Sequence, residues 1–203
     1  MKLFITGIGT DVGKTVASAI ITQALEADYW KPIQAGDLHH SDADKVKALV
    51  SNKKSQFHPN AYALNTPASP HYAATLDGIV LDIKKIQEPT TTNHLVIEGA
   101  GGILVPLNDT DSIIDLIQKD HKVVVVSRHY LGSINHTLLT FEALKIGQRR
   151  AQLQRQLLVA DASRAAPAFE AVVEGQVGHV AVDARLRHLA CGQARGVGFP
   201  AVR

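Results

Sequence analysis

The sequence holds one cysteine, one tryptophan and one methionine in 203 residues. The lone Cys191 excludes an internal disulfide framework and any cysteine-rich metal site; it fits a reducing compartment, with a buried bystander thiol as its expected role. Long apolar runs are also missing. Nothing approaches the roughly 18 to 20 residues that span a bilayer, and the apolar start Leu3-Phe4-Ile5 is broken by Gly7 and Asp11 before a signal-peptide core forms. No membrane partner and a cytoplasmic location are therefore expected. At 45% hydrophobic and 20% charged, the composition is that of a folded globule, and the length suits one domain over residues 1–203.

The net charge of +2 averages two unlike parts. Residues 1–146 carry 13 basic and 15 acidic residues, while residues 147–203 carry 8 and 4. All 12 lysines precede Gly147 and eight of the nine arginines follow it; isoleucine, asparagine and threonine end at Ile146, Asn135 and Thr140. A domain boundary normally shows as a polar, Pro/Gly-rich linker, and none is present here. The arginine excess is spread over 57 residues, with only Phe169 and Phe199 as aromatics, so no stacking platform for nucleic acid is expected.

Apolar periodicity in the first part reads as α/β. Residues 2–6 predict a strand that runs through a glycine-containing turn into a helix from 14 to about 27. Runs at 95–97 and 123–126 predict strands buried on both faces, as in a parallel sheet covered by helices. Helices are expected over 112–119 and 133–145, and residues 65–70, with two prolines, read as loop or extended chain. No internal repeat is present.

The strongest chemistry lies in Gly7-Ile8-Gly9-Thr10-Asp11-Val12-Gly13-Lys14-Thr15. A glycine-containing turn between strand and helix aims successive backbone N–H groups at one point, where the helix adds partial positive charge; that arrangement binds phosphate. Lys14 would reach the terminal phosphates of a nucleotide and the Thr15 hydroxyl the accompanying Mg²⁺. The usual first glycine of G-x-x-x-x-G-K-[ST] falls on Ile8, so this loop is one residue longer and begins at Gly7. Further on, Trp30-Lys31-Pro32-Ile33-Gln34-Ala35-Gly36 places a lysine at a strand end. By itself Lys31 reads first as a solvated lysine. In Ser41-Asp42-Ala43-Asp44 the acids read first as helix caps, with a carboxylate near the nucleotide's metal as the alternative. Glu98, at the end of a buried strand and followed by Gly99-Ala100-Gly101-Gly102, sits where open α/β sheets bind ligands and where P-loop proteins place an acidic metal partner. His39-His40 lacks further spaced ligands and reads as an exposed pair.

Taken in order, the loop Gly7 to Thr15, Lys31-Pro32 with Gly36, Ser41-Asp42-Ala43, Ser69-Pro70-His71, Glu98-Gly99-Ala100-Gly101-Gly102 with Pro106-Leu107, and Leu131-Gly132-Ser133-Ile134-Asn135-His136 with Leu139-Thr140 resemble the dethiobiotin synthetase family. The resemblance covers residues 1 to about 146. It implies a P-loop NTPase-like α/β fold, mainly parallel with helices on both faces. It also implies a homodimeric ligase of biotin biosynthesis that uses ATP, Mg²⁺ and CO2 from bicarbonate to close the ureido ring on 7,8-diaminopelargonic acid. By family position, Lys14 and Lys31 are catalytic, and Thr15, Asp42 and Glu98 share Mg²⁺. Nucleotide contacts would come from Asp11, Val12, Gly13, Lys14, Thr15, Val16, Asp42, Glu98, Gly99, Ala100 and Gly101, and substrate contacts from Thr10, Lys31 and Ala35. The 132–136 loop would approach a neighbouring subunit's substrate, with His136 ordering it.

Ala35 stands where many members of that family carry a substrate-contacting serine, so that hydrogen bond is lost or supplied elsewhere. From residue 148 onward the family's next strand with its asparagine-bearing turn, and its proline-bearing adenine loop, are not recognisable. Either the end of the chain derives from a shifted reading frame or a joined sequence, or it is a divergent terminus in which residues 156–160 and 179–182 supply replacement strands. Two rival functions remain at this level. One is a P-loop ATPase switch of the chromosome-partitioning or division-site type, disfavoured because residues 7–13 lack an early lysine. The other is an inactive remnant with an altered carboxyl end.

Overall fold

In the computed structural model the amino-terminal apolar run forms β1 (Lys2–Gly7), and the turn after it opens α1 (Lys14–Leu25), β2 (Asp28–Trp30) and β3 (Ile33–Ala35). Then come α2 (Asp42–Leu49), β4 (Phe57–His58), β5 (Tyr62–Leu64), α3 (Pro70–Leu76) and β6 (Leu95–Gly102). β7 (His121–Ser127), α4 (Ser133–Ala151), β8 (Leu157–Asp161), β9 (Ala168–Val173) and β10 (Gln176–Ala181) follow. The structure describes residues 1–151, 157–161, 168–173 and 176–181.

The main sheet has the order β10-β9-β8-β7-β1-β6-β2-β4. Every pairing from β8 to β4 is parallel, and β9 and β10 add antiparallel strands at one edge. β1 lies inside because both its faces are apolar: Leu3, Phe4 and Ile5 are 4%, 0% and 0% exposed, and so need cover on each side of the sheet. Register then decides what faces what. Phe4 pairs with Ile97, which pairs with Trp30, while Ile5 pairs with Glu98 in the adjoining row. Strand alternation thus puts Tyr29, Val96 and Glu98 on one face and Phe4, Trp30 and Ile97 on the other.

β2 lies next to the edge strand β4, and a buried acid fixes it there. The Asp28 carboxylate accepts hydrogen bonds from Gln56 N (3.0 Å), Thr91 Oγ1 (2.7 Å) and Asn93 Nδ2 (3.1 Å). Burial opposes its charge, but these donors, with His58, hold its carboxyl below the usual range. This tie joins β2 to the segments on either side and so sets where the chain emerges at Lys31.

Several sequence expectations need revision. Residues 112–119 do not form an α-helix but a single 3₁₀ turn, Ile113–Leu116. The amides of Ile113 and Ile114 donate to Val105 O (3.0 Å) and Ile103 O (2.9 Å), tying the segment to the loop before it, and Ile117 is already extended. Buried β-branched residues at 113 and 117 favour that packing over continued helix. The helix expected over 133–145 runs on to Ala151, the strand at 95–97 runs on to Gly102, and Pro70 heads α3, where its missing N–H costs nothing. A small parallel sheet, β3 with β5, was not foreseen. Gly36, at φ +71°, follows β3 where a Cβ would lie 2.5 Å from Pro67 Cβ.

Beyond Ile146, the strand expected at 156–160 corresponds to β8, displaced by one residue and in parallel register beside β7, with Val123 opposite Leu157. Residues 179–181 of the strand expected at 179–182 lie in β10, paired antiparallel to β9. Cys191, Phe199 and residues 156 and 182 lie outside the described residues. Among the described residues, no helix is long and apolar enough to cross a membrane.

Candidate nucleotide and metal site

The loop between β1 and α1 reverses the chain through two left-handed residues, Asp11 at φ 56° and Gly13 at φ 96°. Gly7 opens it because a Cβ there would lie 2.6 Å from Val12 Cγ2 and 3.2 Å from Lys14 Cδ. Those two side chains therefore close over the end of the strand. No side chain caps the start of α1, so its first amides point into the loop with the helix dipole behind them. Lys14 lies across the loop, buried, and donates from Nζ to Gly9 O at 2.8 Å.

Opposite the loop, on the same face of the sheet, sits a cluster built on Glu98. Its Oε1 accepts from Thr15 Oγ1 (2.9 Å) and from Lys31 Nζ (3.3 Å), and its Oε2 accepts from Tyr29 OH (2.9 Å). Lys31 Nζ also donates to Asp42 Oδ2 at 2.5 Å. The ammonium therefore bridges the two carboxylates expected to meet a metal. The acids of Ser41-Asp42-Ala43-Asp44 divide the work. Asp44 closes a capping box with Ser41, while Asp42 turns inward to Lys31, its amide held by Gln34 Oε1 (3.3 Å). The cap reading thus holds for Asp44, while Asp42 is left free of the cap and pairs with Lys31.

Charge states follow from burial against pairing. Burial alone would lower the Lys31 pKa, but the Glu98 and Asp42 carboxylates overcome it and hold the group above its ordinary value. Asp42 is likewise held below the usual carboxylate range despite burial, by Lys31 and Lys45. Burial, then the Glu98 charge, pushes the Tyr29 phenol well above its ordinary range, so it stays a donor. Lys14 is different. Burial, with only partial compensation from Glu98, and with the Lys31 charge working against it, brings its pKa down to about 8.

A protonation test follows from that value. Unfolded chains bind more protons at Lys14 than folded ones between about 8 and 10.5, so its contribution to stability rises with pH through that window. An anionic polyphosphate placed beside Nζ favours the ammonium. Mg·ATP binding is then expected to take up a proton fraction near about pH 8.5 and almost none near about pH 6.5. Calorimetry in buffers of different ionisation enthalpy checks this; equal uptake at both pH values would contradict it.

The expected site residues are largely brought together. Thr15, Lys31, Asp42 and Glu98 are in direct contact, and the Lys14 charge is coupled to Lys31, Asp42 and Glu98. Thr10 and Asp11 are exposed at the loop tip, Val12 is buried beneath it, and Val16 is half-buried on the first turn of α1. Gly101, at φ +63°, packs on Val105, whose Cγ2 a Cβ would meet at 2.9 Å, with Thr10 Oγ1 of the tip 3.7 Å away. Gly99 faces away: a Cβ would meet Phe4 Cε1 at 3.1 Å and Ile113 Cγ2 at 3.3 Å, so its missing side chain makes room for core packing, not for a ligand. Ala100 is half-buried beside it, and Ala35, half-buried in β3, lies outside the Lys31 contacts described above. His39 and His40 are exposed in a 3₁₀ turn, and among the described residues no group of three or more His, Cys, Asp or Glu is placed to hold a metal ion.

Sequence reasoning missed three residues. Gln34 holds the Asp42 amide, and Arg128, just past β7, donates from Nη1 to Asp11 O at 3.3 Å. Tyr29 carried a signal that went unused, since it stands two residues before Lys31 on a strand and so shares its face. The segment expected as a loop over 132–136 is, from Ser133 on, the first turn of α4; there Tyr130 OH lies 2.6 Å from His136 Nδ1 and ties the preceding turn to the helix.

A phosphate-binding loop between the central strand and first helix of a mainly parallel sheet, facing an acid on the neighbouring strand, defines a P-loop nucleotide-binding α/β protein. The family model described as an AAA domain matches residues 1–175. The chain is 69% identical over 142 residues to the ATP-dependent dethiobiotin synthetase BioD of Christiangramia forsetii, covering 70% of this chain and 69% of the relative. The proteins of the same name from Cytophaga hutchinsonii and Afipia carboxidovorans are 56% and 47% identical over 146 residues, in each case 71% of this chain and 70% of the relative. The chain belongs to the ATP-dependent dethiobiotin synthetase family.

Proposed function

We propose that this chain forms dethiobiotin from 7,8-diaminopelargonic acid, CO2 and ATP, as a cyclo-ligase of biotin biosynthesis. The observation that carries the reading is the Lys31 ammonium held between Asp42 and Glu98, with Thr15 on the same Glu98 oxygen, beside the phosphate loop. One amine of the substrate adds to CO2 and loses a proton, giving a carbamate. A carbamate oxygen attacks the γ-phosphorus of ATP and ADP leaves. The second amine attacks the resulting carbamic–phosphoric anhydride, closing the ring and releasing phosphate.

Negative charge builds on the carbamate and phosphoryl oxygens throughout, and fixed cations in a water-poor site stabilise it best. Lys14 leaves Gly9 O for the phosphates, and Lys31 turns from the carboxylates toward the carbamate. The loop amides and residues 11–16 orient the triphosphate, while Thr10 and the 33–36 segment border the amine-bearing substrate. Thr15, Asp42 and Glu98 are hard oxygen donors that suit Mg²⁺. Bound there, Mg²⁺ neutralises phosphate charge and aligns the γ-phosphoryl group.

Leu131 and Ile134, 102% and 78% exposed around the start of α4, support a homodimer in which Gly132 and the first turn of α4 face the partner's substrate. Continuation of the sheet through β8 to β10 supports a single domain that runs on past Ile146. The lone cysteine, and ATP and bicarbonate as co-substrates, fit the cytoplasm. The deciding experiment is dethiobiotin formation from diaminopelargonate, bicarbonate and Mg·ATP, repeated with CTP and GTP. A folded protein that binds Mg·ATP but makes no product would reject the proposal.

A further inference from the structure

We propose that Tyr29 is a positioning residue that holds the Glu98 carboxylate in the rotation that serves the metal. This rests on the reading of Glu98 as a metal carboxylate. Glu98 is 1% exposed and Tyr29 0%, so water does not satisfy the carboxylate in the phenol's place. The two oxygens have different partners. Oε1 faces the phosphate loop and takes both Thr15 and Lys31, whereas Oε2 faces into the sheet and takes Tyr29 at 2.9 Å. Terminal carboxylate torsions are broad and roughly two-fold, so side-chain packing alone sets this rotation poorly. A donor on one oxygen sets it well.

The backbone supplies the precision. Tyr29 pairs in register with Val96 on the strand that carries Glu98, so phenol and carboxylate project from the same face of adjacent strands, two residues apart along β6. Lys31 stands two residues after Tyr29. β2 and the residue that follows it therefore deliver both the donor that fixes Oε2 and the cation that shares Oε1. Tyr29 touches no atom that reacts. It acts through Glu98, as hydrogen-bonded outer partners act through metal ligands.

The test uses the full chain with Mn²⁺ in place of Mg²⁺. Tyr29→Phe keeps the ring and its packing and removes only the donor. Paramagnetic titration of Mn²⁺ with protein and ATP is expected to show metal affinity in the ternary complex weakened about 10-fold. The Mg²⁺ concentration for half-maximal rate should rise in parallel, with KM for diaminopelargonate unchanged and kcat recovering at saturating metal. In a Glu98→Gln background the same substitution should change metal affinity no further. A purely structural role would lower the unfolding midpoint of Tyr29→Phe and leave its metal affinity at the wild-type value, which overturns the proposal. If Glu98→Gln leaves metal affinity unchanged, the reading of Glu98 fails and the role of Tyr29 with it. If Glu98→Gln weakens it and Tyr29→Phe does not, only the role of Tyr29 fails.

Discussion

The Lys31→Ala protein is expected to bind Mg·ATP within a few-fold of wild type and to form dethiobiotin about 10²- to 10³-fold more slowly. Lys31 Nζ is the only group joined to both Asp42 and Glu98 by direct ion pairs among the described residues, at 2.5 and 3.3 Å. While those pairs persist, the carboxylates are neutralised by the protein's own cation. On the proposed mechanism a divalent ion held by the same oxygens would compete with the ammonium and free it for the carbamate. Removing Lys31 should therefore leave the phosphate loop intact and take away the charge proposed to stabilise the carbamate. It also takes from Glu98 its ion pair and leaves Asp42 only Lys45, at 3.4 Å, so the variant should bind Mn²⁺ more tightly than wild type before any nucleotide is added. Product formation distinguishes the two steps from nucleotide binding by calorimetry. Wild-type turnover by Lys31→Ala would remove the residue from the mechanism.

The Lys14→Met protein should move stability and binding in opposite directions. The ammonium is 7% exposed and its pKa is brought down to about 8 by burial, so carrying the charge at neutral pH works against the folded state. A methionine of similar length fills the space over Gly7 without that cost, and resistance to denaturant should rise by about 1 kcal/mol or more. Affinity for Mg·ATP should fall about 100-fold, the worth of a charge-assisted contact to phosphate. Denaturant midpoints and calorimetry measure the two effects on the same sample. Loss of affinity together with loss of stability would mean that Lys14 props up the loop instead of binding phosphate.

How far the site was legible depends on what each residue needed. The loop from Gly7 to Thr15 was legible because its parts are neighbours in the chain: a strand, a turn with a left-handed glycine at 13 and a helix start are all short-range features. Glu98 was legible because a charge inside an apolar run with glycines behind it is costly unless it is used. Asp42 and Asp44 were not separable. Both open α2, and only the direction of the helix relative to β2 decides that one caps and the other meets Lys31. The 3₁₀ turn at Ile113–Leu116 was misread as helix because its apolar spacing is helical while its first amides are claimed by the loop at 103–105.

The sequence by itself determined the class of chemistry, the phosphate loop and its lysine, the parallel sheet, and the change of composition at Gly147, since each depends on residues adjacent in the chain or on a period of two or 3.6. Tertiary structure alone decided that Lys31, two strands away from the loop, reaches Glu98 and Asp42 at once, that Tyr29 stands behind Glu98, and that β8 extends the sheet beside β7. Those contacts join residues 11 to 83 positions apart, as between Lys31 and Asp42 or Thr15 and Glu98. Strand order and register fix such distances, and these are settled only when both faces of the sheet are packed.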